Sequence, residues 1–173
     1  MGIFADWQPE YAKRGVATFP VEIIGNDKQP CTKGYLKTGI RGSAQLALKF
    51  AEAQSFGFAC GRYNRLMVVD MDSTDPAIVS EGERLFGCSP LLWRTGGGKF
   101  AMAFRYNGEA RRIRPIASLP IDLLGRGFAV APPSVGAIRN YEIIRGTLAD
   151  LDRLPVALIP DEIGRLMADR APV

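Results

Sequence analysis

The chain has 173 residues, enough for one domain with a proper core, and its 47% hydrophobic and 23% charged residues are ordinary for a globular protein. Lys and Arg number 22 against 18 acidic residues, a net charge of +4 that permits a nucleic-acid or nucleotide partner without requiring one. There is no histidine, which excludes Ser-His-Asp triads, Cys-His proteases and histidine-based zinc sites and leaves catalysis to carboxylates, Lys, Cys and metal.

In chain order, residues 9–15 read as a short helix stopped by Gly15. Residues 16–24 read as a strand interrupted by Pro20, and 25–42 as a polar connection carrying Lys28, Lys33, Lys37 and Arg41. Residues 43–54 have helical spacing, with Ser43 as N-cap. A short strand at 57–61 precedes the apolar strand Leu66-Met67-Val68-Val69-Asp70-Met71-Asp72. Asp75 caps a helix that has Pro76 at its first position and ends at Gly87. Residues 91–94 and 100–106 are strands joined by Thr95-Gly96-Gly97-Gly98, and Asn107-Gly108 is a turn. Residues 121–124, 128–131 and 141–144 are further strands, 161–169 a terminal helix, and 169–173 a frayed end. Early helices followed by clustered hairpin strands predict an α+β fold with a mainly antiparallel or mixed sheet.

Cys31, Cys60 and Cys88 form no CxxC, so neither a zinc ribbon nor a disulfide framework is indicated. No apolar run reaches the ~20 residues of a membrane span, and the N-terminus lacks the pattern of a signal peptide. The expectation is a cytoplasmic protein with reduced thiols and no membrane partner.

Three features carry chemistry. Alternate strand residues share a face, so Asp70 and Asp72 point the same way, roughly 7 Å apart, while Met71 points into a core. Hard divalent cations favour such oxygen ligands. If the strand bearing Asp122 lies beside the first, three carboxylates converge; equally, Asp72 serves as a turn residue and Asp122 as a hairpin residue. Second, the glycine-rich turn ending in Lys99 can wrap an anion with its backbone N–H groups, although Phe100 breaks the Walker pattern; an ordinary hairpin turn fits as well. Third, Arg111, Arg112 and Arg114, with Lys99, Arg105 and Arg126, can meet phosphates or form a solvated basic surface.

Taken in order, Arg14-Gly15, Phe19-Pro20, Lys28-Gln29-Pro30, Gly61, Val68-Val69-Asp70-Met71-Asp72, Arg94-Thr95-Gly96-Gly97-Gly98, Ile121-Asp122, residues 127–134 and Tyr141-Glu142 resemble the N-terminal domain of bifunctional DNA primase/polymerases of plasmids, phages and mobile elements. The resemblance covers nearly the whole chain. It implies an archaeo-eukaryotic primase fold: an RRM-like catalytic sheet flanked by helices, in one catalytic domain over 1–173. Within it, an α/β part at about 1–65 would pack on an RRM-like part at about 66–150, with a C-terminal helix at 160–169. It implies a metal-dependent nucleotidyltransferase with Asp70, Asp72 and Asp122 as ligands of Mg²⁺ or Mn²⁺. It also implies nucleoside triphosphates, a single-stranded DNA template and primer as partners, and a replicative helicase as a domain or separate protein.

From the residues themselves, Thr95, Gly96, Gly97, Gly98, Lys99 and Arg105 are the candidate contacts for nucleotide phosphates, and the resemblance adds position 101. Nucleic acid falls to Arg111, Arg112 and Arg114. Position 101 departs from the family: it is alanine where relatives carry a phosphate-binding histidine. Three accounts follow: an engineered substitution, a divergence rescued by Lys99 or Arg105, or an inactive relative that only binds. The chain also ends without a helicase domain, as an excised domain or a stand-alone relative would. The readings are therefore a primase/polymerase, a non-catalytic nucleotide or single-strand binding module, and, third, a metal-dependent nuclease.

Overall fold

The computed structural model describes residues 1–168; the end expected to fray, 169–173, lies outside them. Ten strands form two sheets in which every strand pairing is antiparallel. The smaller sheet has the order β2-β1-β3-β9, built from β1 (Thr18–Ile24), β2 (Asp27–Pro30), β3 (Phe56–Ala59) and β9 (Phe128–Val130). The larger has the order β10-β5-β6-β4-β8-β7, from β4 (Leu66–Met71), β5 (Leu92–Arg94), β6 (Phe100–Arg105), β7 (Arg111–Arg112), β8 (Ile121–Leu124) and β10 (Glu142–Arg145). The helices are α1 (Ile3–Ala12), α2 (Ile40–Lys49), α3 (Ala77–Phe86) and α4 (Asp161–Ala168).

The central strand β4 is apolar on both faces because both faces are covered. Leu66 and Val68 join a core shared with β1, β3, α1 and α2. Met67, Val69 and Met71 join a second core, with Ile78 and Phe86 of α3. Met71 is fully buried, as the alternation requires. In the first core Tyr11 meets Phe56 edge-on at 5.3 Å, and Phe58 meets Trp93 edge-on at 6.5 Å, which locks α1 to β3 and β3 to the larger sheet.

Two helices differ from the sequence expectation in their bounds, and α2 also stops at Lys49 instead of running to 54. α1 begins at Ile3 and carries Pro9 in its interior. A proline usually opens a helix, but here tertiary ties fix the start: the backbone N–H groups of Gly2 and Phe4 donate to the carbonyls of Ala51 and Ala53. α2 begins at Ile40, and Ser43 lies inside it, fully buried. The Ser43 hydroxyl does not cap the helix; it accepts the Thr18 backbone N–H at 3.0 Å and so joins α2 to β1. The helix α3 matches expectation, with the Asp75 carboxylate accepting the Ala77 N–H at 3.0 Å and Gly87 ending the helix at φ 91°. The polar connection also holds structure that its composition does not announce: β2, paired with β1 through a turn at Gly25 and Asn26.

Candidate active site

The registers of the larger sheet build the site. Asp70 pairs directly with Asp122 on β8 and with Ala101 on β6, and Ala101 pairs with Trp93 on β5. Trp93, Ala101, Asp70 and Asp122 therefore form one row across four strands, on the face that looks towards the smaller sheet. The register continues past the strand ends, so that Asp72 and Lys99 meet in the next row and form an ion pair. The Arg114 guanidinium lies 3.6 Å from the other Asp72 oxygen, and the Arg114 backbone N–H donates to Asp122 at 2.8 Å.

The glycine turn closes on itself. Thr95 N–H donates to the Lys99 carbonyl at 2.9 Å, Gly98 N–H to the Thr95 carbonyl at 2.9 Å, and Lys99 N–H to the Thr95 hydroxyl at 3.2 Å. Gly97 faces open space, whereas Gly96 is pressed against a second segment. A side chain on Gly96 would meet Tyr141 at 2.7 Å and the Gly136 α-carbon at 2.8 Å. The N–H groups of Ile138 and Arg139 donate to the Gly96 carbonyl, which fixes residues 136–139 as a second wall. Between these walls lies a cleft of about 380 Å³ lined by Lys28, Asp70, Asp72, Thr95, Lys99 and Tyr141, among others. A smaller adjoining cavity of about 90 Å³ reaches Ala101, which is itself buried.

The two β4 carboxylates differ electrostatically. Asp70 is pushed up to about 6, chiefly by burial and further by the like charges of Asp122 and Asp72, against the opposing ammonium groups of Lys28 and Lys99. Asp72 is held below the usual carboxylate range, first by the hydrogen bond from Lys99 and then by the positive charges of Lys99 and Arg114, against the effect of its burial.

Several sequence-predicted residues come together: Asp70, Asp72, Thr95, Gly96, Gly97 and Lys99 all line the cleft. Asp122 stands opposite Asp70, and Gly98 completes the turn at φ 80°. Others lie elsewhere. Arg105 pairs with Leu66 at the far end of β6, roughly 13 Å along the strand from Ala101, and lines a different cavity. Arg111 and Arg112 form the edge strand β7 beside β8, while Arg114 attaches to the carboxylates themselves. Lys28 and Tyr141 also line the cleft, and sequence reasoning does not reach them as site residues. No periodicity marks either one; the only signal is their place in the Lys28-Gln29-Pro30 and Tyr141-Glu142 fragments.

Among the described residues, no three carboxylates or thiols are close enough to form a ready metal cage. Lys99 and Arg114 are the nearest counter-charges to Asp72 and hold it. The donor set nonetheless suits a hard cation. Asp70 and Asp122 stand opposite one another with mutual repulsion to relieve, and Asp72 can join them by exchanging Lys99.

The family model described as bifunctional DNA primase/polymerase, N-terminal, matches residues 8–162. The chain belongs to this family. No curated protein matches it. A prim-pol domain carries DNA primase/polymerase-type nucleotidyl transfer and therefore handles nucleotides and DNA, and enzymes of this family generally use divalent metals. The mixed α+β architecture with antiparallel sheets is that of a prim-pol domain. No described helix is long and apolar enough to cross a membrane.

Proposed function

We propose that this prim-pol domain extends a primer on a single-stranded DNA template, with the incoming nucleoside triphosphate in the cleft beside Asp70. The observation that carries this reading is the row that sets Asp70 opposite Asp122, one strand row from Lys99 and the glycine turn. In the reaction a primer 3′-hydroxyl attacks the α-phosphate; a P–O bond to the 3′-oxygen forms, the bond to pyrophosphate breaks, and the hydroxyl proton passes to solvent water. Mg²⁺ or Mn²⁺ bound by Asp70, Asp122 and Asp72 would stabilise the charge on the attacking and leaving oxygens. Lys99 and Lys28 bring positive charge to the phosphates, and the Gly96 and Gly97 N–H groups, which the turn's own hydrogen bonds do not use, donate to them. Tyr141 and residues 136–139 limit the other side of the cleft. Arg111 and Arg112, on the sheet edge, are left for template or primer, and a helicase domain or protein is a further partner of this reading.

Ala101 favours a second reading. It sits beside Asp70 with no group to donate to a phosphate, and Asp72 is already paired with Lys99. A domain that binds nucleotide or single strands without synthesis fits those facts. Primer extension with Mn²⁺ separates the two, using the chain, Ala101→His and Asp70→Asn. Extension by either of the first two, lost in Asp70→Asn, supports catalysis. If neither extends the primer while both bind oligonucleotide, the binding module is the answer.

A further inference from the structure

We propose a second site, for a strand of single-stranded nucleic acid, at the opposite end of the sheet face that carries Asp70. The choice of a nucleic-acid strand rests on the primase/polymerase reading; the site itself does not. Leu66 and Arg105 share the face of Asp70 and Ala101 but stand at the other end of β4 and β6. There a cavity of about 390 Å³ opens, lined by an arginine from each of three separate segments. Arg14 comes from the link between α1 and β1, Arg65 from the turn between β3 and β4, and Arg105 from the end of β6.

The charge is largely uncompensated. Arg14 pairs with Asp152, the cavity's only acidic lining residue. Among the described residues, neither Arg65 nor Arg105 has a carboxylate within ion-pair reach. Three cations gathered against one anion repel each other, and a polyanion relieves that repulsion. Phosphates also compete with Asp152 for the Arg14 fork.

The site is prebuilt rather than loose. Asn64 is buried; its side chain accepts the Ala17 N–H at 3.0 Å and donates to the carbonyls of Ala17 at 3.3 Å and Ala59 at 3.0 Å. Gly61 and Leu66 close the base of the turn, and the Tyr106 N–H donates to the Arg65 carbonyl at 2.9 Å. Arg65 is held at φ 58°, a conformation uncommon for a residue with a side chain. At the rim stands Tyr63, 60% exposed, with no more exposed aromatic ring among the described residues. The Arg62 guanidinium lies 5.1 Å from its ring centre. An exposed ring beside several cations suits a chain of alternating phosphates and bases. A free phosphate would leave the ring without a role.

The test is fluorescence anisotropy of a labelled oligothymidylate with the full chain, repeated over a range of salt. The variant combines Tyr63→Ser with Arg65→Asn, because asparagine tolerates positive φ and keeps the turn. Its affinity should fall about tenfold or more, with a salt slope shallower by ~0.7 for each phosphate that is no longer neutralised. Stabilisation by a nucleoside triphosphate with Mn²⁺ should be unchanged. Arg14→Gln provides a second, independent variant with a smaller loss. Unchanged affinity and slope in folded variants overturn the proposal, as does a wild-type chain that binds no oligothymidylate. Displacement of the oligonucleotide by inorganic phosphate at equal phosphate concentration overturns the strand assignment. If oligothymidylate binding depends on these residues but no primer is extended, the catalytic reading fails and this one stands.

Discussion

Replacing Asp70 by asparagine should make the metal-free protein more stable at alkaline pH. The Asp70 carboxyl is raised from 3.8 to about 6 in the folded chain. The folded state therefore keeps a proton that the unfolded chain has already released. Its contribution is fully present below 3.8 and is lost as the pH rises through 6. At 1.36 kcal/mol per unit, the ionised carboxylate costs the fold about 3 kcal/mol at pH 8 and about 1 kcal/mol at pH 4.5. An amide keeps the shape and never ionises, although its own burial offsets part of the gain, so about 2 kcal/mol is the expected increase at pH 8. For a chain of this size that is roughly 4–8 °C in Tm. Urea denaturation in chelator at pH 8 and pH 4.5 reads the effect directly. Asp70→Asn should be the more stable at pH 8 and should lose most of its advantage at pH 4.5. Adding Mn²⁺ should then stabilise the wild type and not the variant. A wild type as stable as Asp70→Asn at pH 8 in chelator would refute the electrostatic argument, because the carboxylate would then have a compensating partner in solution.

Lys99→Ala should weaken nucleoside triphosphate binding about tenfold, the loss of one charge-assisted contact, as read by titration calorimetry. The same substitution removes one of the two cations that hold Asp72 and leaves only Arg114 on it, so Mn²⁺ affinity in the absence of nucleotide should rise. Asn64→Ala should cost about 3 kcal/mol in urea denaturation, since it leaves buried groups of Ala17 and Ala59 without their partner. Ser134→Ala should cost about 1–3 kcal/mol by the same assay, because the buried Ser134 hydroxyl accepts the Phe56 N–H and donates to the Phe56 carbonyl.

The parts of the fold legible in the sequence are those set by local rules. The apolar run before Asp70 reads as a strand covered on both sides, and alternation puts Met71 in one core and Asp70 on the other face. Asp75, Pro76 and Gly87 punctuate α3 because caps act within a turn. What is not legible depends on distant partners. Pro9 sits mid-helix because the chain before it is tied to the segment that follows α2, and Ser43 serves β1 rather than its own helix end. Nothing near residues 128–130 announces that β9 leaves the larger sheet to pair with β3. The candidate site divides the same way. The opposition of Asp70 and Asp122 is a conditional expectation that the register meets. The engagement of Asp72 by Lys99 and Arg114 needs three dimensions. Arg105 is separable by counting: four strand residues from Ala101 carry it roughly 13 Å away.

The contact of Gly96 with Gly136 is made by main chain on both sides. The gap proposed to admit a nucleotide is thereby given a fixed post, with no side chain at that contact that can rotate to widen it. Gradual enlargement by trimming residues is closed off at that point. Redesign towards bulkier nucleotide analogues should instead begin at Ile138, whose side chain stands 78% exposed at the rim of the cleft.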